Sequence, residues 1–281
     1  MTNNPLINAS ELLEIIDRSN VVIIDARSGE IGKTNYLKSH IVGALHVRLN
    51  EDLSDIKADL SDGGRHPLPS PQQFGNLLGQ LGITPDSHVV VYDDKGGANA
   101  ASRFWWMMTA LGHDKIQVLD GGFQAAIDRG ISMSEGVEHS IIGPDYPSNA
   151  WALPISDIEE VVSGAERDED KVIDVRAAYR YNGESEPIDP IAGHIPGAIN
   201  IPFSTNLAED GSFKSSDQLK MKYEEITEGR SNNNVIVHCG SGVTACHTIL
   251  AMKVAGMDIP KLYVGSWSEW CRRRKEIGTN L

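Results

Sequence analysis

One stretch of the chain joins a nucleophile to a loop suited to negative charge. It reads Val237-His238-Cys239-Gly240-Ser241-Gly242-Val243-Thr244-Ala245-Cys246-His247. A β-branched apolar run, Val235 to His238, precedes Cys239, and a helix-like run from Thr244 to Val254 follows the loop. A strand, a tight glycine turn and a helix start gather several backbone N–H groups about one point, and the helix N-terminus adds partial positive charge. Glycines at 240 and 242 let the turn bend and come close to what it binds. Thiolate, not thiol, is the nucleophile, and an ordinary cysteine of pKa about 8.5 is only a few per cent ionised at neutral pH. A loop of this shape favours the ionised form and would equally hold an anionic persulfide. Cys246 and Cys271 read instead as small buried core residues.

Two thiol chemistries use such a loop. Phosphate-ester hydrolysis needs an arginine six residues after the cysteine, to clamp phosphate bidentately. That position is Ala245, which disfavours a cysteine phosphatase. What remains is attack on a sulfur atom, giving an enzyme persulfide that a second thiophile relieves in a two-step covalent mechanism.

The elements that must position this loop are legible as short apolar runs. Val21 to Ile24 ends in Asp25-Ala26-Arg27, and Val172-Ile173 ends in Asp174-Val175-Arg176. Val89 to Tyr92 and Val235 to His238 each precede a glycine-rich turn. Runs apolar on both faces suit buried parallel strands. Ser10 to Ile16 reads as a helix with a serine cap at Ser10, and Ser156 to Val162 as one with a capping box between Ser156 and Glu159. Strands alternating with helices predict an α/β fold, each sheet mostly parallel and flanked by helices.

The chain also repeats itself. Asp25-Ala26-Arg27 matches Asp174-Val175-Arg176, and His40-Ile41-Val42-Gly43-Ala44 matches His194-Ile195-Pro196-Gly197-Ala198. Val89 to Asp93 matches Val235 to Cys239, and Leu119 to Phe123 matches Tyr263 to Trp267. The offsets run from 144 to 154 residues and keep their order. Two copies of one α/β domain are therefore expected, at 8–135 and 150–281, joined by a polar linker at 136–149. Two similar domains invite a site at their interface. Only the second copy can be catalytic at this turn, since the first has Asp93 where the second has Cys239. Asp25, Arg27, His40, Asp174, Arg176 and His194 recur in both copies and so read as fold residues. Trp105 to Met108 reads as the packing face of a helix, and Arg272-Arg273-Arg274 as a solvated run.

Composition bounds the partners. Among 281 residues, 25 Lys and Arg against 39 Asp and Glu give a net charge of −14. That argues against nucleic acid or an anionic membrane as the main partner and leaves room for a local basic pocket. There is no apolar run of membrane-spanning length and no secretory leader pattern at the start. Three cysteines without CxxC spacing fit neither a disulfide framework nor a structural zinc site, and the expected setting is the cytoplasm. The chemistry requires no metal or organic cofactor.

With both repeats, the His194-Ile195-Pro196-Gly197-Ala198 segment and the Cys239 loop in view, the chain resembles the tandem rhodanese-domain sulfurtransferases over essentially its whole length. The loop Cys239-Gly240-Ser241-Gly242-Val243-Thr244-Ala245 is most similar to the 3-mercaptopyruvate sulfurtransferase branch; the thiosulfate-using branch typically has Arg and Lys where Gly240 and Ser241 stand. The resemblance implies a structural or regulatory first domain, a catalytic second one and an active site at their interface. Cys239 would take sulfane sulfur from a small anionic donor, first of all 3-mercaptopyruvate. It would pass that sulfur to cyanide, a thiol or a thioredoxin-like acceptor. Ser241 is implied in a proton relay to the departing enolate, with His66 of Arg65-His66-Pro67-Leu68-Pro69 reaching the loop. Arg180 is implied in binding the donor carboxylate, and Gly240, Gly242, Val243 and Thr244 in lining the site. Arg65 is a further candidate for attracting the anion. Two departures stand out: Asn50 falls where the family places an aspartate beside the histidine, and Ile188 replaces a second arginine after Glu186-Pro187. A thiosulfate sulfurtransferase, or a sulfur carrier or interaction module without turnover, remain as alternatives.

Overall fold

The structure is a computed structural model and describes residues 4–167, 169–273 and 275–280. The chain divides into two compact units. The first comprises residues up to Ser54, Pro69–Ala152 and Ala208–Phe213; the second comprises Asp55–Leu68, Leu153–Leu207 and Lys214 onward.

In the first unit five parallel strands form one sheet: β1 (Leu6–Ile7), β2 (Val21–Asp25), β4 (Leu45–His46), β5 (His88–Tyr92) and β6 (Ile116–Leu119), in the order β1-β6-β5-β2-β4. A small antiparallel pair, β3 (His40–Ile41) with β7 (Met133–Ser134), lies apart from it. The helices are α1 (Ala9–Ile15), α2 (Gly32–Lys38), α3 (Leu49–Asp52), α4 (Pro71–Gln80), α5 (Ala100–Ala110) and α6 (Gly122–Arg129). The central strands β2 and β5 bury apolar side chains on both faces, as the continuous β-branched runs required. One core layer joins Leu12 and Ile15 of α1 to Ile23, Val90, Leu119 and Ala126. Trp105 to Met108 lie within α5, which is buried nearly all round.

The second unit repeats the plan. Its strands are β8 (Ile155–Ser156), β9 (Lys171–Asp174), β10 (Ile199–Asn200), β11 (Val235–His238) and β12 (Lys261–Tyr263), all parallel. Read from β8, the order β8-β12-β11-β9-β10 matches that of the first sheet strand for strand. Helices α7 (Ile158–Glu166), α8 (Ala178–Asn182), α9 (Ser216–Thr227), α10 (Thr244–Val254) and α11 (Ser266–Trp270) complete it.

The repeated residues hold the same places. Arg27 turns its Nε and Nη2 onto Asp25 and lies over the Phe123 ring at 3.9 Å; Arg176 does the same with Asp174 and lies over Trp267 at 4.6 Å. His40 Nδ1 meets the Tyr36 carbonyl at 2.8 Å, and His194 Nδ1 meets the Tyr181 carbonyl at 2.8 Å. Each pair clips the end of a strand to the loop beyond it.

Two helix starts differ from the sequence reading by a residue or two. The N-cap of α1 is Asn8, which forms a capping box with Glu11; Ser10 lies inside the helix. The N-cap of α7 is Asp157, whose carboxylate accepts from Glu160 N–H, because Ser156 is already committed to β8 opposite Tyr263. Asn and Asp are strong caps, and the strand decides which residue is free to serve. Of the expected solvated run, Arg273 is exposed and donates to the Ser61 carbonyl, whereas Arg272 is half-buried and donates to Asp189 and the Ser268 carbonyl. Arg274 lies outside the described residues. Among the described residues no helix is long and apolar enough to cross a membrane.

Candidate active site

Cys239 is the first residue after β11, the middle strand of the second sheet, at the carboxyl end where open α/β sheets place their ligands. It is almost fully buried. The turn is held from behind by the segment that opens α11. Ser266 Oγ accepts from Cys239 N–H at 3.2 Å, Trp267 N–H donates to the Cys239 carbonyl at 3.0 Å, and Ser268 N–H donates to the Gly240 carbonyl at 2.9 Å. Gly242 takes φ +73°, and a Cβ there would lie 2.6 Å from the Val264 carbonyl oxygen. Both facts require glycine. Val243 then caps α10 and Thr244 opens it, so the loop runs directly into a helix N-terminus.

The equivalent turn of the first unit reveals what this geometry binds. Asp93 follows β5 as Cys239 follows β11, and its carboxylate accepts backbone N–H groups of Lys95, Gly97, Asn99 and Ala101 at 2.9 to 3.2 Å. The turn is an anion nest occupied by its own side chain. This gives Asp93 a physical role in the first unit.

The segment Asp55–Leu68 belongs to the second unit and brings His66 to the loop. His66 Nδ1 and Ser241 Oγ are 2.7 Å apart, a short hydrogen bond between an imidazole and a neutral hydroxyl two residues from the thiol. Arg65 donates from its backbone N–H to Ser268 Oγ at 3.0 Å, which fixes the segment against the opening of α11. Asn50 lies on α3 of the first unit.

Arg180, on α8, turns toward the loop. Its Nε donates to both oxygens of Glu186 at 3.0 and 2.9 Å, and its Nη2 lies 3.3 Å from where a Gly240 Cβ would be. Arg176 joins the same Glu186 at 3.3 Å, so the buried Asp174–Arg176 pair is wired to Arg180. Ile188, in the place of the missing arginine, is 53% exposed. His238, beside Cys239, is buried 3.9 Å from Asp174 with its Nε2 lacking a hydrogen bond. Burial pushes its imidazole below the ordinary range, so it is neutral at pH 7.

Sequence reasoning brought Cys239, Gly240, Ser241, Gly242, Val243, Thr244, His66 and Arg180 into consideration, and the second unit assembles all of them around one turn. It overlooked Asp189, Glu186 and Arg272, which hold the arginines, and Ser266, which holds the turn. A carboxylate serving an arginine looks like any surface acid until the chain is folded.

The family model for the rhodanese-like domain matches the chain twice, at residues 8–128 and 157–273. The chain belongs to the rhodanese family. The two matches fall on the two sheets of the same strand order. A Pseudomonas aeruginosa rhodanese provisionally named a 3-mercaptopyruvate sulfurtransferase is 38% identical, over 96% of this chain and 96% of its own. A Mycobacterium tuberculosis rhodanese provisionally named a thiosulfate sulfurtransferase is 37% identical, over 94% and 93%. The solved 3-mercaptopyruvate sulfurtransferase from Leishmania major superposes with a TM-score of 0.84 at 28% identity, covering 96% of this chain and 74% of that one. Rhodanese relatives of this chain thus carry both donor names.

Proposed function

We propose that this protein is a sulfurtransferase that moves sulfane sulfur from 3-mercaptopyruvate to a thiophilic acceptor through a persulfide on Cys239. The observation that carries the reading is the grouping on one turn of a thiol, a neutral hydroxyl–imidazole pair and a guanidinium facing Gly240. The Cys239 thiolate attacks the donor sulfur; a sulfur–sulfur bond forms and the carbon–sulfur bond breaks, its electron pair leaving on pyruvate enolate. Ser241 gives the enolate carbon its proton and recovers one through His66. The acceptor, cyanide or a thiolate such as that of a thioredoxin-like protein, then attacks the outer sulfur and returns Cys239 as thiolate. A hydroxyl next to the thiol favours a keto-acid donor, whose leaving group needs a proton. Sulfite leaving from thiosulfate needs none. Cys239, Cys246 and Cys271 are buried thiols, which suits the reducing cytoplasm.

The test is steady-state transfer to cyanide from each donor, with Cys239→Ser as the blank. A kcat/KM preference for 3-mercaptopyruvate of about tenfold or more is expected. Full activity in Cys239→Ser would refute the mechanism, a preference for thiosulfate would shift the donor, and persulfide formed once without turnover would mark a carrier.

A further inference from the structure

The guanidinium of Arg65 is aimed at the first glycine of the loop. A Cβ on Gly240 would lie 3.1 Å from Arg65 Nη2 and 3.3 Å from Arg180 Nη2. Gly240 does not have the left-handed backbone of Gly242, so its lack of a side chain serves room rather than a turn. Two guanidinium groups from distant parts of the chain thus converge on one small space beside the thiol.

What holds them there is a ladder of carboxylates. Asp189, whose side chain is fully buried, accepts Arg65 Nε at 3.1 Å and Arg272 Nη1 at 2.8 Å, and lies 3.7 Å from Arg180 Nη2. Glu186 receives Arg180 and Arg176, and Asp174 receives Arg176. Among the described residues this connected network contains four guanidinium groups, of Arg65, Arg176, Arg180 and Arg272, against three carboxylates, of Asp174, Glu186 and Asp189. Glu269 and Arg273 nearby pair with each other and leave the balance unchanged. Among these side chains, before the Cys239 thiolate is counted, one positive charge is in excess, in a protein of net charge −14. Arg180 Nη2 is buried 2.8 Å from Glu186 Oε1 but out of hydrogen-bond alignment, so a donor hydrogen is unspent at the Gly240 end. Two largely desolvated guanidinium groups converging on Gly240, one with an unspent donor, suit an oxyanion there.

We propose that Arg65 and Arg180 form a two-guanidinium clamp for the anionic oxygens of the sulfur donor beside Gly240. Asp189, gripped by Arg272, is the positioning residue that aims Arg65. The identity of the donor rests on the function proposed above; the clamp itself needs only an oxyanion, whether carboxylate or the sulfonate end of thiosulfate.

The experiment separates the clamp from turnover. Cys239 is alkylated with iodoacetate and with its neutral isostere iodoacetamide, and the modified peptide is quantified over time. Arg65→Gln is expected to slow iodoacetate by about tenfold or more while changing iodoacetamide less than about twofold, the neutral reagent reporting that the loop is intact. In steady state the same variant raises KM for whichever anionic donor the protein uses, by about ten- to a hundredfold, with kcat less affected. Asp189→Asn discriminates positioning from bulk charge: it adds one unit of positive charge, yet should slow iodoacetate, because Arg65 is no longer aimed. Arg65→Lys should recover part of the rate but not the bidentate geometry. An unchanged iodoacetate-to-iodoacetamide ratio in Arg65→Gln would overturn the clamp even if sulfur transfer is confirmed. A faster iodoacetate reaction in Asp189→Asn would overturn the positioning role. Failure of both sulfur donors with the ratio effect intact would instead refute the proposed reaction and leave the clamp standing.

Discussion

Asp93 and Cys239 are the same position answered in two ways. Burial pushes the Asp93 carboxyl up, but four backbone N–H groups pull against it and leave no room for a second anion. Asp93→Ala would strand those donors in the interior, at about 1–3 kcal/mol each before relaxation. We expect it to lower the stability of the first unit by at least about 3 kcal/mol in urea unfolding, with Asp93→Asn costing less. A loss under about 1 kcal/mol would show that the nest is not what the carboxylate is for. The corresponding turn of the second unit carries the Cys239 thiol in place of a carboxylate. Ser241→Ala and His66→Asn should each lower kcat for 3-mercaptopyruvate by about a hundredfold or more, and the double variant little further, because one proton path is cut either way. Additive losses would mean two separate roles. At this scale the strand–turn–helix setting of Cys239 was legible from one short motif, since a glycine turn after a β-branched run has few other forms. The arginine holders were not: Asp189 is separated from Arg65 by 124 residues of chain, and nothing local marks either as a partner.

The strand-to-loop clips are where the two repeats diverge in consequence. Arg27 and Arg176 make the same buried pair with aspartate and the same stack on an aromatic ring. Removing one partner of a buried pair leaves a charge uncompensated, at about 3–5 kcal/mol. Arg27→Met and Arg176→Met should therefore destabilise their units similarly. Only Arg176→Met should also raise KM, because only Arg176 continues to Glu186 and so to Arg180. Equal KM values for the two variants would break that chain of contacts. The strands and their parallel order were legible because a period-free apolar run admits few alternatives. The helix starts were misplaced at Ser10 and Ser156, since a capping motif recurs wherever Ser, Asp, Asn and Glu are common and the neighbouring strand selects among them.

For the molecule as a whole, acid should act on both units through histidines kept neutral inside. Burial pushes His113 in the first unit and His238 in the second below the ordinary imidazole value of about 6.5. The unfolded chain then binds protons that the folded one refuses, so stability is full above about pH 6.5 and falls as the pH drops, by up to about 1.4 kcal/mol per unit for each histidine. Asp174 adds to this at lower pH. Burial raises its carboxyl, but His238 once charged and Arg176 hold it below the usual range, so its contribution is lost only beneath about pH 4. Urea midpoints at pH 5 and 7.5 should differ in the native chain, and His238→Asn should flatten the slope for the second unit; an unchanged slope would place the acid sensitivity elsewhere.

The segment carrying Arg65 and His66 is made early and belongs to a unit finished late. Ser241, to which His66 bonds, lies 175 residues further on, so at roughly 5–20 residues per second a ribosome takes on the order of ten to thirty-five seconds to deliver it. Through that interval the emerging chain holds an imidazole and a guanidinium with no thiol to serve. The first unit, for its part, still awaits Ala208–Phe213. A fragment beginning after the first sheet would never receive either group, whatever its own stability. In the proposed reaction sulfur can be loaded only once the Cys239 turn has been made, and a product terminated before it would be chemically silent rather than half active.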